Sequence, residues 1–345
     1  MSFLTALLTF LVVLSVLVFA HELGHFVTAK RAGIKVQEFG FGYPPRLFGV
    51  RFGETLYSVN LLPLGGFVKM LGENAEPGDP QAFSSKSKRV RATVLIAGSA
   101  MNLLLAPIFF SASLMIGEPV PEHVAIARVE PGSPAESAGM LPGDIFVSLN
   151  GRAIHEALTL RDTVRSNVGR EIEVVVRRDG REVPLRIVPR QVTQEGQGAL
   201  GIQLQQAFRT LQRPIWEAVP MGIQRTGEVL VLFAQGIKQM VVREIPVELA
   251  GPIGIAQMTD QAAQAGINYL LQFTAFLSLN LAIFNLLPIP GLDGARVAFV
   301  VLEGIRGGRR LNPQIEGAIH FIGLMLLITL MLFVSFKDVQ RLVPG

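Results

Sequence analysis

Four stretches of this 345-residue chain are nearly free of charge, and each is long enough to cross a lipid bilayer. They are Phe3–Ala20, Ala92–Gly117, Gln261–Leu292 (apolar mainly from Tyr269) and Gly317–Phe336, where His320 is the only ionisable group. A hydrocarbon core of about 30 Å needs about 20 helical residues. Inside lipid the backbone must satisfy its own hydrogen bonds, so such stretches become helices. The chain is 50% hydrophobic and 17% charged, against roughly 25% charged in soluble domains. This excludes an ordinary soluble enzyme and a disordered chain. Cysteine is absent, which excludes disulfides, thiolate metal sites and cysteine nucleophiles. The net charge of +4 does not point to nucleic acid, because the basic residues flank the apolar stretches.

The first stretch lacks a basic leader and a small-residue cleavage pattern, so it reads as a retained helix and not a cleaved signal peptide. Between the first two stretches, Lys30–Arg91 carries ten Lys/Arg against five acids. The positive-inside rule puts this loop in the cytoplasm and the N-terminus outside. Within it, Leu47–Phe52 and Thr55–Leu61 read as a hairpin around Gly53-Glu54, followed by an extended run Gly65–Met70 and a linker Gly72–Ser87.

The spacing predicts this order: first span with its histidine motif 1–29, β-rich loop 30–90, second span 91–117, inserted domain 118–208. An amphipathic surface helix with the Gly251–Ile255 segment follows at 209–265, then the third span 266–288. A Leu292-Asp293-Gly294 motif with a cytoplasmic segment occupies 289–315, the fourth span 316–337 and a tail 338–345. The inserted domain carries Ser133–Met140, Pro142-Gly143-Asp144-Ile145 and Asn150-Gly151. It has strand runs at Val124–Val129, Ile145–Leu149, Glu171–Arg177 and Val183–Val188, and a helix at Leu158–Asn167. It resembles a PDZ domain of the circularly permuted bacterial type. That resemblance makes Leu200, Gly201 and Ile202 the carboxylate-binding loop.

The end of the first stretch reads His21-Glu22-Leu23-Gly24-His25. Residues i and i+4 share a helix face, so both imidazoles can reach one metal, with Glu22 beside them as a base for water. The expected ion is one Zn²⁺ with three protein ligands and a position open to water. An ionisable cluster at membrane depth is a functional candidate, since burying it otherwise carries a cost. The best third ligand is Asp293, the only acid between Asp260 and Glu303. Its alternative role is to cap a helix beginning near Ala295. His21 lies about 27 Å from Phe3 by helical rise. Asp293 reaches that depth only if the third span runs inward, so Ile215–Val242 does not span and there are four crossings. The inserted domain and both termini are then extracytoplasmic, and Arg306, Arg309 and Arg310 are cytoplasmic.

These motifs, with Asn285–Gly294, Gly251-Pro252-Ile253-Gly254-Ile255, Gly40-Phe41-Gly42 and Phe83–Lys86 leading to Ala97–Asn102, cover nearly the whole chain. Together they resemble the site-2 protease family of intramembrane zinc metalloproteases, in its bacterial RseP-like branch. Ser99 stands where the family often has Pro, and the chain has room for one PDZ domain where some members carry two. The resemblance implies an α-helical polytopic protein of the bacterial cytoplasmic membrane, with a cytoplasmic-side β-hairpin region and an inserted extracytoplasmic PDZ domain. It implies zinc on His21, His25 and Asp293, and Glu22 as general base. Asn285, Gly66, Phe67, Val68 and Pro290 are implied to be substrate-binding. Substrates would be transmembrane segments of single-span proteins, such as anti-sigma factors or remnant signal peptides, already trimmed by an upstream protease. Asn102 and His320 read as packing residues, and Pro107 as a kink in the second span. A catalytically silent PDZ scaffold is the competing reading, which the presence of both Glu22 and Asp293 opposes. A transporter ranks below it, because no paired repeat of broken helices is evident.

Overall fold

In the computed structural model, residues 3–73, 78–191, 198–242 and 251–342 are described. Parts of the expected 72–87 linker, 209–265 segment and C-terminal tail lie outside them. The chain divides into two units, Met1–Ile116 with Arg213–Gly345, and Gly117–Gln212.

The first unit is built on helices α1 (Phe3–Arg31), α2 (Lys88–Ile116), α5 (Ile215–Val241), α6 (Pro252–Ala265), α7 (Ile267–Leu286), α8 (Asp293–Ile305) and α9 (Pro313–Leu342). Among the described residues, α1, α2, α7 and α9 are the four helices long and apolar enough to cross a membrane. On α1 the residues four apart sort into two stripes. Leu4, Leu8, Val12 and Val16 are exposed, whereas Val13, Leu17, His21, His25 and Ala29 are buried. Helical periodicity therefore carries both histidines on the inward stripe, continuous with apolar core. Gly24 allows α1 to approach α2, since a Cβ there would strike the Ala97 carbonyl. The inward stripe of α2 runs through Val94, Gly98, Asn102 and Ala106. Ser278 on α7 donates to the Asn102 carbonyl at 2.8 Å, one of the polar links that join helices where lipid offers no hydrophobic drive.

Helix α5 packs through a small-residue face. Ala218 and Thr226 are buried, and Gly222 meets Ser111 and Pro107 of α2. Phe233 stacks on Phe276 of α7 at 5.3 Å. Helix α6 begins at the Gly251-Pro252 pair, with Pro252 at its first turn. The Asp338 carboxylate of α9 accepts the Gly254 N–H at 2.9 Å.

Between α1 and α2, strands β1 (Val36–Phe52) and β2 (Thr55–Met70) form one long antiparallel hairpin whose turn pairs Phe52 with Thr55, where the sequence places it. The hairpin folds back on itself, which the sequence reading did not anticipate. Glu38 pairs with both Leu56 and Lys69, and Gly40 with both Ser58 and Phe67. Residues 36–41 thus lie between 55–60 and 66–70, giving a small sheet of four segments. An aromatic cluster fixes this sheet to α1: Phe39 lies 5.6 Å from Phe19 and 4.9 Å from Phe26.

The second unit contains β3 (Glu118–Val129), α3 (Pro134–Ser137), β4 (Ile145–Leu149), β5 (Arg152–Ala153), α4 (Ala157–Ser166), β6 (Ile172–Arg178), β7 (Arg181–Ile187) and β8 (Ile202–Leu211). The antiparallel sheet has the order β7-β6-β4-β3-β8, with β5 attached to β4. Alternate residues Ile172, Val174 and Val176 join Phe146, Leu149 and Leu160 in its core. Asp144, almost fully buried, receives two bonds from Arg178 at 2.7–2.8 Å and one from the Leu141 N–H at 2.9 Å. Burial alone would raise the Asp144 carboxyl. These bonds outweigh it and hold the carboxyl below its ordinary value.

Candidate metal centre

Two helices bring the three ligands together. His21 and His25 project from the inward stripe of α1, and Asp293 opens α8. The α7–α8 turn is tight because Gly294 leaves space that a Cβ would take from the Leu286 and Leu287 carbonyls. Leu292 is the N-cap residue of α8, so Asp293 does not play the capping role considered for it. Its carboxylate faces the histidines instead. Asp293 Oδ2 lies 3.0 Å from His21 Nε2 and 3.2 Å from His25 Nε2, and the two Nε2 atoms are 3.1 Å apart. Burial pushes the Asp293 carboxyl up, but the bonds from His21 and His25 prevail and hold it well below the usual carboxylate range. It is ionised, as a ligand must be.

The donor set fits zinc. Tetrahedral ligands at about 2.0–2.1 Å lie roughly 3.3 Å from one another, close to the three separations observed. His25 Nδ1 donates to the Val94 carbonyl at 2.8 Å, which leaves the Nε2 lone pair to the ion. Gly98 forms the floor of the site. A Cβ on it would lie 2.6 Å from His21 Nε2 and closer still to His25 Nε2. The sequence contains this glycine in a recognisable run, but only the packing of α2 on α1 reveals its purpose.

Glu22 points to the face of α1 that carries Phe19 and Phe26, and therefore toward the sheet. A Cβ on Gly66 would lie 3.3 Å from its Cγ. The Val68 backbone amide faces the Glu22 carboxylate. Gly66, Phe67 and Val68 line one cleft with His21, Glu22, His25 and Asp293. Asn285, half-buried on α7, does not line it, and Pro290 lines a neighbouring apolar groove with Ile289 and Ile319. Leu200, Gly201 and Ile202 belong to the second unit.

Three cleft residues escaped the sequence reading. Arg296 and Glu73 form an ion pair, and Tyr43 lines the same cleft. Only Arg296 had a local signal, three residues after Asp293 on one helix face. His320, read as packing, accepts the Gly291 N–H at 3.1 Å and so braces the turn before Asp293.

The peptidase family M50 model matches residues 9–330. A relative from Clostridium perfringens is 37% identical over 342 residues, 98% of each chain. The regulator of sigma-W protease RasP of Bacillus subtilis is 31% identical over 423 aligned positions, 99% of each chain. The zinc metalloprotease RasP of Oceanobacillus iheyensis is 30% identical, covering 98% of this chain and 100% of that one. Among solved structures, the PDZ domain of the SdrC-like protein of Listeria monocytogenes matches 25% of this chain and 92% of that one, at 19% identity. Its TM-score of 0.23 is too low to bear on the fold. The family model takes in the histidine pair, the Asp293 turn and at least part of each of the four apolar helices, and the chain is a zinc metalloprotease of peptidase family M50, the site-2 protease family.

Proposed function

We propose that this metalloprotease hydrolyses peptide bonds within transmembrane segments of single-span proteins, after an upstream protease has trimmed them. The observation that carries the proposal is the edge at Gly66–Val68. Segment 66–70 pairs on one side with 36–41 and, among the described residues, has no strand on its other side. That edge lines the cleft of Glu22 and the histidines. A helical substrate hides its peptide bonds in its own hydrogen bonds. An unwound segment can regain them by adding to this edge, which presents an extended backbone to the site.

When bound at His21, His25 and Asp293, zinc supplies a Lewis acid that polarises the scissile carbonyl and the attacking water. Glu22 accepts one proton of that water as its oxygen bonds to the carbonyl carbon. It returns the proton to the amide nitrogen as the C–N bond breaks, leaving a carboxyl and an amine. The cleft is walled by α1 and the sheet, which hold Glu22 and the substrate edge in one orientation.

The second unit is proposed to be a PDZ domain. Its β8 is an edge strand, and the loop Leu200-Gly201-Ile202 leads into it with Gly201 at φ +73°. This loop would receive the new C-terminus of a trimmed substrate or limit access to the site. The sidedness follows from charge: loop 30–91 and Arg306–Arg310 in the cytoplasm, the termini and the second unit outside. The membrane is then a bacterial cytoplasmic membrane, with the site near its inner face. The name of the Bacillus subtilis relative, a regulator of sigma-W, favours anti-sigma-type substrates.

The test is cleavage of a tagged single-span substrate in liposomes by wild type and Glu22→Gln, with zinc measured on both. Cleavage by wild type alone, with one zinc in each, is expected. Cleavage by Glu22→Gln at a comparable rate refutes Glu22 as the base.

A further inference from the structure

The two histidines are unequally supported. His25 Nδ1 has an acceptor, the Val94 carbonyl. His21 Nδ1 is buried and has no hydrogen-bond partner among the described residues. An imidazole that binds metal through Nε2 keeps its proton on Nδ1. An unsatisfied buried donor costs about 1–3 kcal/mol, and metal-ligating histidines almost always place that proton on an acceptor.

The packing of α1 on α2 narrows the search for an acceptor. His25 meets Val94 and Gly98, and His21 meets Gly98. The helices therefore run antiparallel here. Both Nε2 atoms converge over Gly98, so the two rings diverge from that point along α2. His25 turns its Nδ1 one helical turn back, to Val94. His21 presents Cε1 to Gly98 at 2.7 Å from an ideal Cβ, and Nδ1 is the next ring atom. The residue one turn forward of Gly98 on the same face is Asn102. It is fully buried, and its backbone carbonyl is taken by Ser278. Both polar atoms of its side chain, Oδ1 and Nδ2, are buried without a partner among the described residues. Orphaned groups of complementary chemistry thus lie on the two helix faces that pack together at Gly98, one on the metal ligand His21 and the other on Asn102. Packing glue does not account for Asn102, since glue requires a bonded side chain.

We infer that Asn102 is a positioning residue for the metal site: its carboxamide oxygen accepts the His21 Nδ1 proton, directly or across one water, as the Val94 carbonyl does for His25. Ser99 also has a buried hydroxyl without a partner among the described residues. It stands about 100° around the helix from Gly98, off the Val94–Gly98–Asn102 face, and serves as the control. The inference rests on His21, His25 and Asp293 being the ligand set.

The experiment uses the full chain in detergent. Zinc affinity is measured by chelator competition, the apo protein by thermal melting, and the site by the visible absorption of the cobalt-substituted protein. Asn102→Leu, close in size but without an acceptor, is expected to bind zinc 10- to 100-fold more weakly and to shift the cobalt bands. Asn102→Asp and Ser99→Ala are expected to stay within a few-fold of wild type. Wild-type affinity in Asn102→Leu overturns the inference, as does a loss in Ser99→Ala with none in Asn102→Leu. If Asn102→Leu does not fold, Asn102→Asp decides alone, and a tenfold or larger loss of zinc in it overturns the assignment. Asp293→Asn tests the ligand set separately. Loss of zinc there with none in Asn102→Leu keeps the site and removes Asn102 from it.

Discussion

Gly98→Ala is the sharpest perturbation of this site, because it adds one methyl group and removes nothing. The new Cβ would lie 2.6 Å from His21 Nε2 and 2.7 Å from His21 Cε1, and nearer still to His25 Nε2. Ordinary carbon contacts begin at about 3.5 Å, so the His21 ring must retreat by about 0.9 Å. Zinc–ligand distances tolerate roughly 0.2 Å. Both imidazoles move, and His25 cannot keep its 2.8 Å bond to Val94 while doing so. Disturbing one group that merely orients a ligand costs 10- to 100-fold in metal affinity. Displacing two ligands is therefore expected to cost at least about 100-fold, or about 2.8 kcal/mol. Glycine to alanine in a helix interior is itself stabilising by up to about 1 kcal/mol. Overpacking costs about 1–3 kcal/mol, so the apo protein should melt only modestly below the wild-type temperature while zinc affinity and cleavage collapse. Gly227→Ala on α5, whose Cβ would meet nothing within 4 Å among the described residues, is the matched control and should change neither zinc affinity nor cleavage. Chelator competition and apo melting on the three proteins decide the matter. Wild-type zinc affinity in Gly98→Ala would show that the ion does not sit over Gly98, and the ligand geometry argued above would fail with it.

Other expectations follow from single contacts. Arg91 and Glu303 are both buried and pair at 2.5 Å, tying α2 to α8 behind Asp293. Glu303→Leu should cost about 3–5 kcal/mol in thermal melting, and Arg91→Met with Glu303→Leu should recover most of it; equal stability of single variant and wild type would refute the pair. Asp338→Ala removes the acceptor for Gly254 at the start of α6 and should cost about 1 kcal/mol, seen as faster hydrogen exchange confined to that turn. Folding lowers the Asp144 carboxyl, so its contribution is complete above the unfolded value of about 3.9 and is lost as pH falls below it toward the folded value. Exchange protection of β4 and β6 in the full chain, corrected for intrinsic rates, should be flat from pH 7 to 5 and fall below pH 4. The same fall in Asp144→Asn would assign it to another group.

What the sequence disclosed and what it hid divide along a physical line. Features fixed by neighbours in the chain were legible. The histidines continue a stripe that begins at Val13 and Leu17, so their inward direction is a matter of helical period. The hairpin turn at Gly53-Glu54 and the strands of the second unit are likewise local. Asp293 was legible for a different reason: an acid in a long apolar stretch has few explanations other than function. The hidden features all depend on which distant segments meet. The return of 66–70 onto 36–41 carries no local signal, yet it sets the strand edge beside Glu22. Glu73 reaches Arg296 across more than two hundred residues. Gly98 and Asn102 were visible as residues, but neither spacing nor composition says that one lies under the metal and the other beside His21. Helices held together in lipid associate through small residues and a few polar groups, and these types are also the least distinctive in a sequence. The same economy explains why Asn285, carried into the site by resemblance, lies outside the cleft while the anonymous Ser278 holds α7 to α2. In such a protein the catalytic ligands announce themselves, and the residues that aim them are found only by asking which buried polar atom still lacks a partner.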